Sequence, residues 1–388
     1  MGNLPVSVRA SSRLVVVTML VSLLEACGGG DADAAGVESA AAEGTADALK
    51  SKVKQYRLTD LGEIAVNPVI TSTDRVGCLA LNDKGQVAGS AFFPGSINEH
   101  AFLYSDGVRQ DLGTLAGGFS AGCGINDKGQ VTGYSRYVNP LVQKTMWHAF
   151  LYSHGAMQDL GLLVGAPLHA FSVGYGIEKK GRVTGYAPML GEASHHAFVY
   201  SDGVVQDVGT LGTSSSEGNA INDKGQVTGS AGEQAFLNTG GHLKFLGTLG
   251  GSRSVGYGIN NKGQVTGAAD LAGNVARHAF VYSHGVMQDL GCLDGDTDCH
   301  GLAINEKGLI AGVSGSWNFA DFTTRRAVLY SKGTVRDLNE LVDASGAGWH
   351  LHMADGVNNS GQIVGKGIFN GGWHAFLLTP VKKGQQDD

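Results

Sequence analysis

Over most of its length the chain alternates apolar with polar or small residues in short runs, and each run ends at a Gly-containing break. Between Ser120 and Gly161 four such runs succeed one another: SAGCGIN, GQVTGYS, HAFLYS and AMQDLG. A period of two puts alternate side chains on opposite faces of a strand. Asp127-Lys128-Gly129 separates the first two runs and His154-Gly155 the last two, and glycine at such a break permits the left-handed backbone of a tight hairpin. No stretch keeps an apolar period of 3.6, so helices should be scarce. The pattern predicts four antiparallel strands, which we letter A to D.

The same four runs recur. HAF begins at His100, His148, His196, Gln234 (QAF), His278, Arg326 (RAV) and His374, at steps of 48, 48, 38, 44, 48 and 48 residues. A second phrase, IN-D-K-G-Q-V, places Asn82, Asn126, Glu178, Asn222, Asn260, Asn305 and Asn358 at equivalent positions, and we number units 1 to 7 by these residues. A third, DLG, sits at Asp60, Asp111, Asp159, Asp207, Phe245 (FLG), Asp289 and Asp337. Four strands repeated every ~40 to 50 residues are the signature of a propeller blade, whereas a β-solenoid has shorter units. The chain opens with a lone DLG strand, Val53 to Gly62, and ends with a lone HAF strand, His374 to Pro380. If the first strand completes the last unit, two exposed edges disappear. The expectation is an all-β, seven-bladed β-propeller over residues 53–380, closed by its N-terminal strand, with a polar tail at 381–388.

Composition agrees: 61 Gly, 7 Pro and 16% charged residues suit many short strands joined by tight turns. A net charge of −7, without a basic stripe, argues against nucleic acid as a partner. Arg9 and Arg13 precede an apolar run, Leu14 to Leu24, too short for the ~20 residues that span a bilayer. That layout predicts a signal peptide at 1–26. Residues 27–52, without aromatics and rich in Gly, Ala, Asp and Glu, read as a flexible tether.

At the end of the apolar run, Leu24-Glu25-Ala26-Cys27 resembles a bacterial lipobox, although Glu25 departs from the usual small or uncharged residue. The resemblance implies lipidation at Cys27, a membrane anchor, and, with Gly after the cysteine, an outer-membrane or secreted location. HAFLYS-x-G-x-x-x-DLG with IN-D-K-G-Q-V resembles the HAF-repeat family of bacterial extracellular proteins over residues 53 to 380. This implies an exported, propeller-like repeat protein and no particular activity.

The histidine of HAF invites a chemical reading. A two-residue loop at Asp106-Gly107 would set Phe102 opposite Asp111 and bring His100 diagonal to Asp111 on the same face. The same spacing holds for His148 with Asp159, His196 with Asp207, His278 with Asp289 and Arg326 with Asp337, while His374 would need Asp60. In unit 4 both partners are lost together, as Gln234 and Phe245. We read these as structural pairs, since seven metal sites would need convergent ligands that repeat geometry spreads apart.

The A–B and C–D turns vary little, whereas the B–C and D–A connections differ in length and content and belong to the opposite face. They carry or border Phe92, Phe93, Tyr137, Trp147, Trp317, Phe319, Trp349, His350, His352 and Trp373, suited to a sugar, peptide or protein ligand. Trp147 and Trp373 have an equal reading as caps of the sheet edge. Asp294, Asp296 and Asp298 have the i, i+2, i+4 spacing of a Ca²⁺ loop, but the expected Gly and twelfth-position Glu are missing. Cys292 and Cys299 are disulfide candidates in an exported protein, whereas Cys78 and Cys123 occupy near-equivalent A-strand positions in neighbouring units, which leaves open whether they pair or stay buried free thiols. No GxSxG, HExxH or Walker motif occurs. The functional expectation is a monomeric binding module for an extracytoplasmic glycan or protein. The alternatives are a polysaccharide lyase or hydrolase with a site in a central funnel, and a purely structural envelope protein.

Overall fold

The computed structural model describes residues 56–64, 78–139, 144–161, 171–188, 194–316 and 324–381. Cys27, the 1–26 and 27–52 segments, Trp317, Phe319 and residues 382–388 lie outside the described residues. All the described residues belong to the unit Val53–Asp388.

They form an all-β protein whose sheets are antiparallel meanders, with short 3₁₀ turns between some strands. In unit 2 the strands run Ser120–Ile125, Val131–Asn139, Lys144–Ser153 and Ala156–Gly161. Each pairs with the next. There are five four-stranded sheets and one of eight strands, in which units 5 and 6 meet through a parallel bridge from Arg277 to Asp298. The strand Tyr56–Glu63 pairs antiparallel with Gly372–Pro380, so residues from both ends of the chain share one sheet.

Turn chemistry explains the hairpins. Asp106 (φ 53°) and Gly107 (φ 83°) both take the left-handed region, as a type I′ turn requires. His154 occupies the first of these positions in unit 2 (φ 53°). It can do so because Ser153 Oγ meets His154 Nδ1 at 2.9 Å, as Ser105 Oγ meets Asp106 Oδ2 at 2.8 Å.

The wording of HAF reflects packing. Ala149 and Phe150 are adjacent, so they face opposite sides of their sheet, and both are fully buried. Phe150 packs against Ala88 and Ala101 of unit 1, while Ala149 leaves room for Phe198 of unit 3. Phenylalanine is the knob and alanine the hole, and each buried ring contributes about 2–3 kcal/mol. Gly89 on strand B completes the fit, because a Cβ there would lie 2.8 Å from Phe102 of the same sheet.

Candidate functional site

Strand A carries the feature that builds a cavity. Its pairing with strand B skips one residue between Gly122 and Gly124, Gly174 and Gly176, and Gly218 and Ala220. The same skip occurs between Gly256 and Gly258, Gly301 and Ala303, and Ala354 and Gly356. A β-bulge re-aims the extra side chain. The skipped residues Cys123, Tyr175, Asn219, Tyr257, Leu302 and Asp355 all line one cavity of about 220 Å³, to which A-strand residues of each unit contribute.

At the A–B turn end a second cavity, of about 230 Å³, is bordered by the turn residues. Here Asn82 Nδ2 donates to Asn126 O at 2.9 Å and Asn126 Nδ2 to Glu178 O at 3.0 Å. Asn222, Asn260 and Asn305 repeat this towards the next unit, and Asn358 Nδ2 donates to Asn82 O at 3.0 Å. An outer tier of bonds lies over it: Asp83 N–H donates to Asp127 Oδ1, and Asn359 N–H to Asp83 Oδ1. Glu178 interrupts the inner tier. Its Oε1 accepts from Arg182 N–H at 3.0 Å, but Oε2 is buried without a hydrogen-bond partner.

Away from the turns, the register carries strand B past the cavity to Ser90, Tyr134, Tyr186, Ser230, Ala268, Val313 and Lys366. Tyr134 and Tyr186 are each pushed up to about 12, chiefly by burial, with Glu99 adding to the first and Glu217 to the second. Glu99 is 8% exposed, accepts from Ser90 Oγ at 2.7 Å, and is raised by burial against that bond. Tyr134 touches Phe119 and Trp147, with ring centroids 5.7 and 5.6 Å away. Tyr186 touches His195 at 4.8 Å, and His195 Nε2 lies 3.1 Å from Glu217. Further round, Arg277 bonds Asp270 at 2.8 Å, His300 bonds Asp298 at 2.9 Å, and Lys366 Nζ lies 3.3 Å from Asp355. Sequence reasoning passed over Glu99, Tyr134, Tyr186 and Glu217. The available signal was variability: the residue after V-T-G changes from unit to unit while its neighbours hold constant.

The aromatic residues singled out from sequence disperse into several settings. Trp147 joins Tyr134, whereas Tyr137 stacks on His148 at 4.3 Å. Trp349 stacks on Phe369 at 5.0 Å, and Trp373 lies 4.9 Å from His352, whose ring is 4.3 Å from that of exposed His350.

The His–Asp pairs meet at the B–C end of the C–D hairpins. Nδ1 to carboxylate distances are 2.9 Å for His100–Asp111 and His148–Asp159, 3.1 Å for His196–Asp207, 2.9 Å for His278–Asp289 and 3.0 Å for His374–Asp60. Each aspartate also accepts the N–H of the glycine two residues on, as Asp111 does from Gly113 at 2.7 Å. Arg326 departs from the pattern: it lies 3.7 Å from Asp337 but bonds Asp296 at 2.8 Å.

That bond helps to correct the calcium expectation. Asp296 is taken by Arg326 and Ser314, Asp298 by His300, and Asp294 is exposed, so the three carboxylates do not converge. No group of three or more His, Cys, Asp or Glu among the described residues is placed to hold a metal. Cys292 and Cys299 are disulfide-bonded. Cys78 and Cys123, whose pairing the sequence leaves open, are also bonded: their Cα atoms lie 4.7 Å apart, within bonding range.

No family model matches the chain, and no curated protein does. Among solved structures it is similar to TolB from Acinetobacter baumannii (TM-score 0.38, 11% identity, 54% of this chain and 51% of that one). The chain thus spans about half of TolB's length. It is also similar to a gluconolactonase from Xanthomonas campestris (0.41, 10%, 86% and 92%). A third match is the β-propeller domain of the Trilobed protease from Pyrococcus furiosus (0.34, 11%, 67% and 67%).

Proposed function

We propose that the protein is an exported, lipid-anchored HAF-repeat β-propeller of seven blades that binds an extracytoplasmic glycan or protein with its B–C and D–A loop face. Closure is supported by the pairing of Tyr56–Glu63 with Gly372–Pro380 and by one apolar cluster that joins Leu61 and Leu377 to Val87 and Phe102 of unit 1. Two disulfides suit an oxidising compartment. The observation that carries the binding reading is the contrast between the two ends of the cavity. At the turn end polar groups are spent on bonds from unit to unit; at the loop end half-buried aromatic rings and carboxylates stand together. Binding is favoured over hydrolysis or elimination because the carboxylates there are individually engaged by Ser90, His195, Arg277, His300 and Lys366.

The test is capture of envelope proteins and glycans by the full-length protein. Trp147→Ala, Trp349→Ala and Trp373→Ala should lower capture, whereas Asp83→Ala and Glu306→Ala at the turn end should leave it unchanged. Capture that survives every tryptophan change and fails with the turn-end variants would sink the proposal.

A further inference from the structure

The loop end is not uniform around the sheets. From unit 1 to unit 4 it presents Glu99, Tyr134 with Phe119 and Trp147, Tyr186 with His195, and then Glu217. Ser90 Oγ holds Glu99 at 2.7 Å, the rings of Phe119, Tyr134 and Trp147 touch one another, and His195 joins the Tyr186 ring to Glu217, so these groups follow one another in an arc from unit to unit. The guanidinium of the arc, Arg136, reaches back along its own hairpin to Thr145 at 3.2 Å. Among the other cations described at the loop end, Arg253, Arg277 and Arg326 are held by Glu233, Asp270 and Asp296, and Lys366 lies 3.3 Å from Asp355. Two carboxylates flanking half-buried aromatic rings accept hydroxyl protons and offer an apolar surface to C–H groups, while they repel an anion.

We propose that units 1 to 4 form a subsite for an uncharged sugar ring of a glycan, packed on Tyr134 and Trp147 and donating hydroxyls to Glu99 and Glu217. The inference rests on the loop-face reading and narrows its ligand to neutral carbohydrate. Uronic-acid chains are excluded by the carboxylates, and a peptide would leave their acceptor capacity unmatched unless it carried a cation.

Titration calorimetry on the full-length protein tests it, with malto-, cello- and chitotriose against trigalacturonate. Glu99→Gln keeps volume and the Ser90 contact but removes the charge; Tyr134→Ala removes the platform; Glu306→Ala, at the turn end of unit 6, serves as the control. Near-ultraviolet circular dichroism and thermal melts check that each variant is folded. At least one neutral trisaccharide should bind, weakened about tenfold or more by Glu99→Gln and Tyr134→Ala and unchanged by Glu306→Ala. If Tyr134→Ala fails to fold, Glu99→Gln alone decides. Binding of trigalacturonate as tight as that of the neutral sugars, indifference to both arc variants, or no sugar binding at all overturns the inference. If sugars fail while protein capture still depends on the loop-face tryptophans, the broader reading stands and this one falls. Loss of capture with the turn-end variants alone removes both.

Discussion

Asp159 serves two partners at once, the Nδ1–H of His148 at 2.9 Å and the N–H of Gly161 at 2.7 Å. Gly161 has φ 69°, and its strand shifts register there, so the aspartate fixes both the imidazole and the irregularity that turns Leu160 into the core. Removing the imidazole frees one bond; removing the carboxylate orphans two donors. Asp159→Ala should therefore cost about 2–3 kcal/mol and His148→Ala about 1–2 kcal/mol, with a coupling of about 1 kcal/mol in a denaturation double-mutant cycle. Additive losses would dissolve the pair. Glu99 makes a prediction of opposite sign. Burial raises its carboxyl, so the folded protein holds that proton more tightly than the unfolded chain does. The stability this provides is present below the ordinary glutamate value and is lost as pH rises through the folded one. Glu99→Gln should thus gain over wild type more at about pH 7 than at about pH 4, as thermal melts would read. A gain that grows towards acid would contradict the burial argument.

Each A–B turn is organised by one asparagine, except where Glu178 replaces it. Asn126 Oδ1 accepts from Lys128 and Gln130 N–H, while its Nδ2 donates to Gln130 Oε1 and onward to Glu178 O. Glu178 can mimic the accepting half only, and it has no N–H to offer Asn222 O. Restoring the majority pair with Glu178→Asn and Arg182→Gln should stabilise the protein by about 1 kcal/mol, raising Tm by a few degrees. No gain would mean that the Arg182–Glu178 pair, at 3.3 Å, already offsets the missing donor. The strands, their hairpins and the His–Asp spacing were legible in the chain because repetition exposes them: a phrase that recurs with its partner eleven residues away declares a local contact. Contacts across sheets were not, since Asn126 reaches Glu178 O over 52 residues and no spacing rule states that distance. The skipped residue in strand A was equally hidden. Cys123 and Tyr175 look like ordinary strand positions, and only the pairing shows that they leave the ladder to line the cavity. Asp294, Asp296 and Asp298 misled for the reciprocal reason, because spacing alone omits competitors such as Arg326, 30 residues away from Asp296.

At the scale of the molecule, the strand Tyr56–Glu63 joins its sheet without a hairpin. Other D strands are tied to strand C by a two-residue turn, whereas this one meets Gly372–Pro380 across more than 300 residues and must offset the entropy of that loop with contacts. Two neighbours supply them. On one side Leu341 O accepts from Tyr56 N–H, Asp343 N–H donates to Tyr56 O, and Ser345 Oγ accepts from Leu58 N–H at 2.7 Å. On the other, Arg109 of unit 1 donates to Leu61 O and Glu63 O while its guanidinium lies 5.0 Å from the Phe102 ring. The register places Met157, Val205, Leu243, Met287, Val335 and Leu58 at the position of Arg109 in the other units, all of them apolar. Arginine stands where the polar backbone of a strand joined only by pairing would otherwise lack a donor. Arg109→Met, which installs the residue of unit 2, should therefore cost about 1–2 kcal/mol. Its effect should be local before it is global: amide exchange of residues 56–63 and 372–380 should quicken by about tenfold while that of units 3 and 4 stays within about twofold of wild type. Equal acceleration in every sheet would show that Arg109 supports the fold generally and that the pairing of Tyr56–Glu63 with Gly372–Pro380 is held elsewhere.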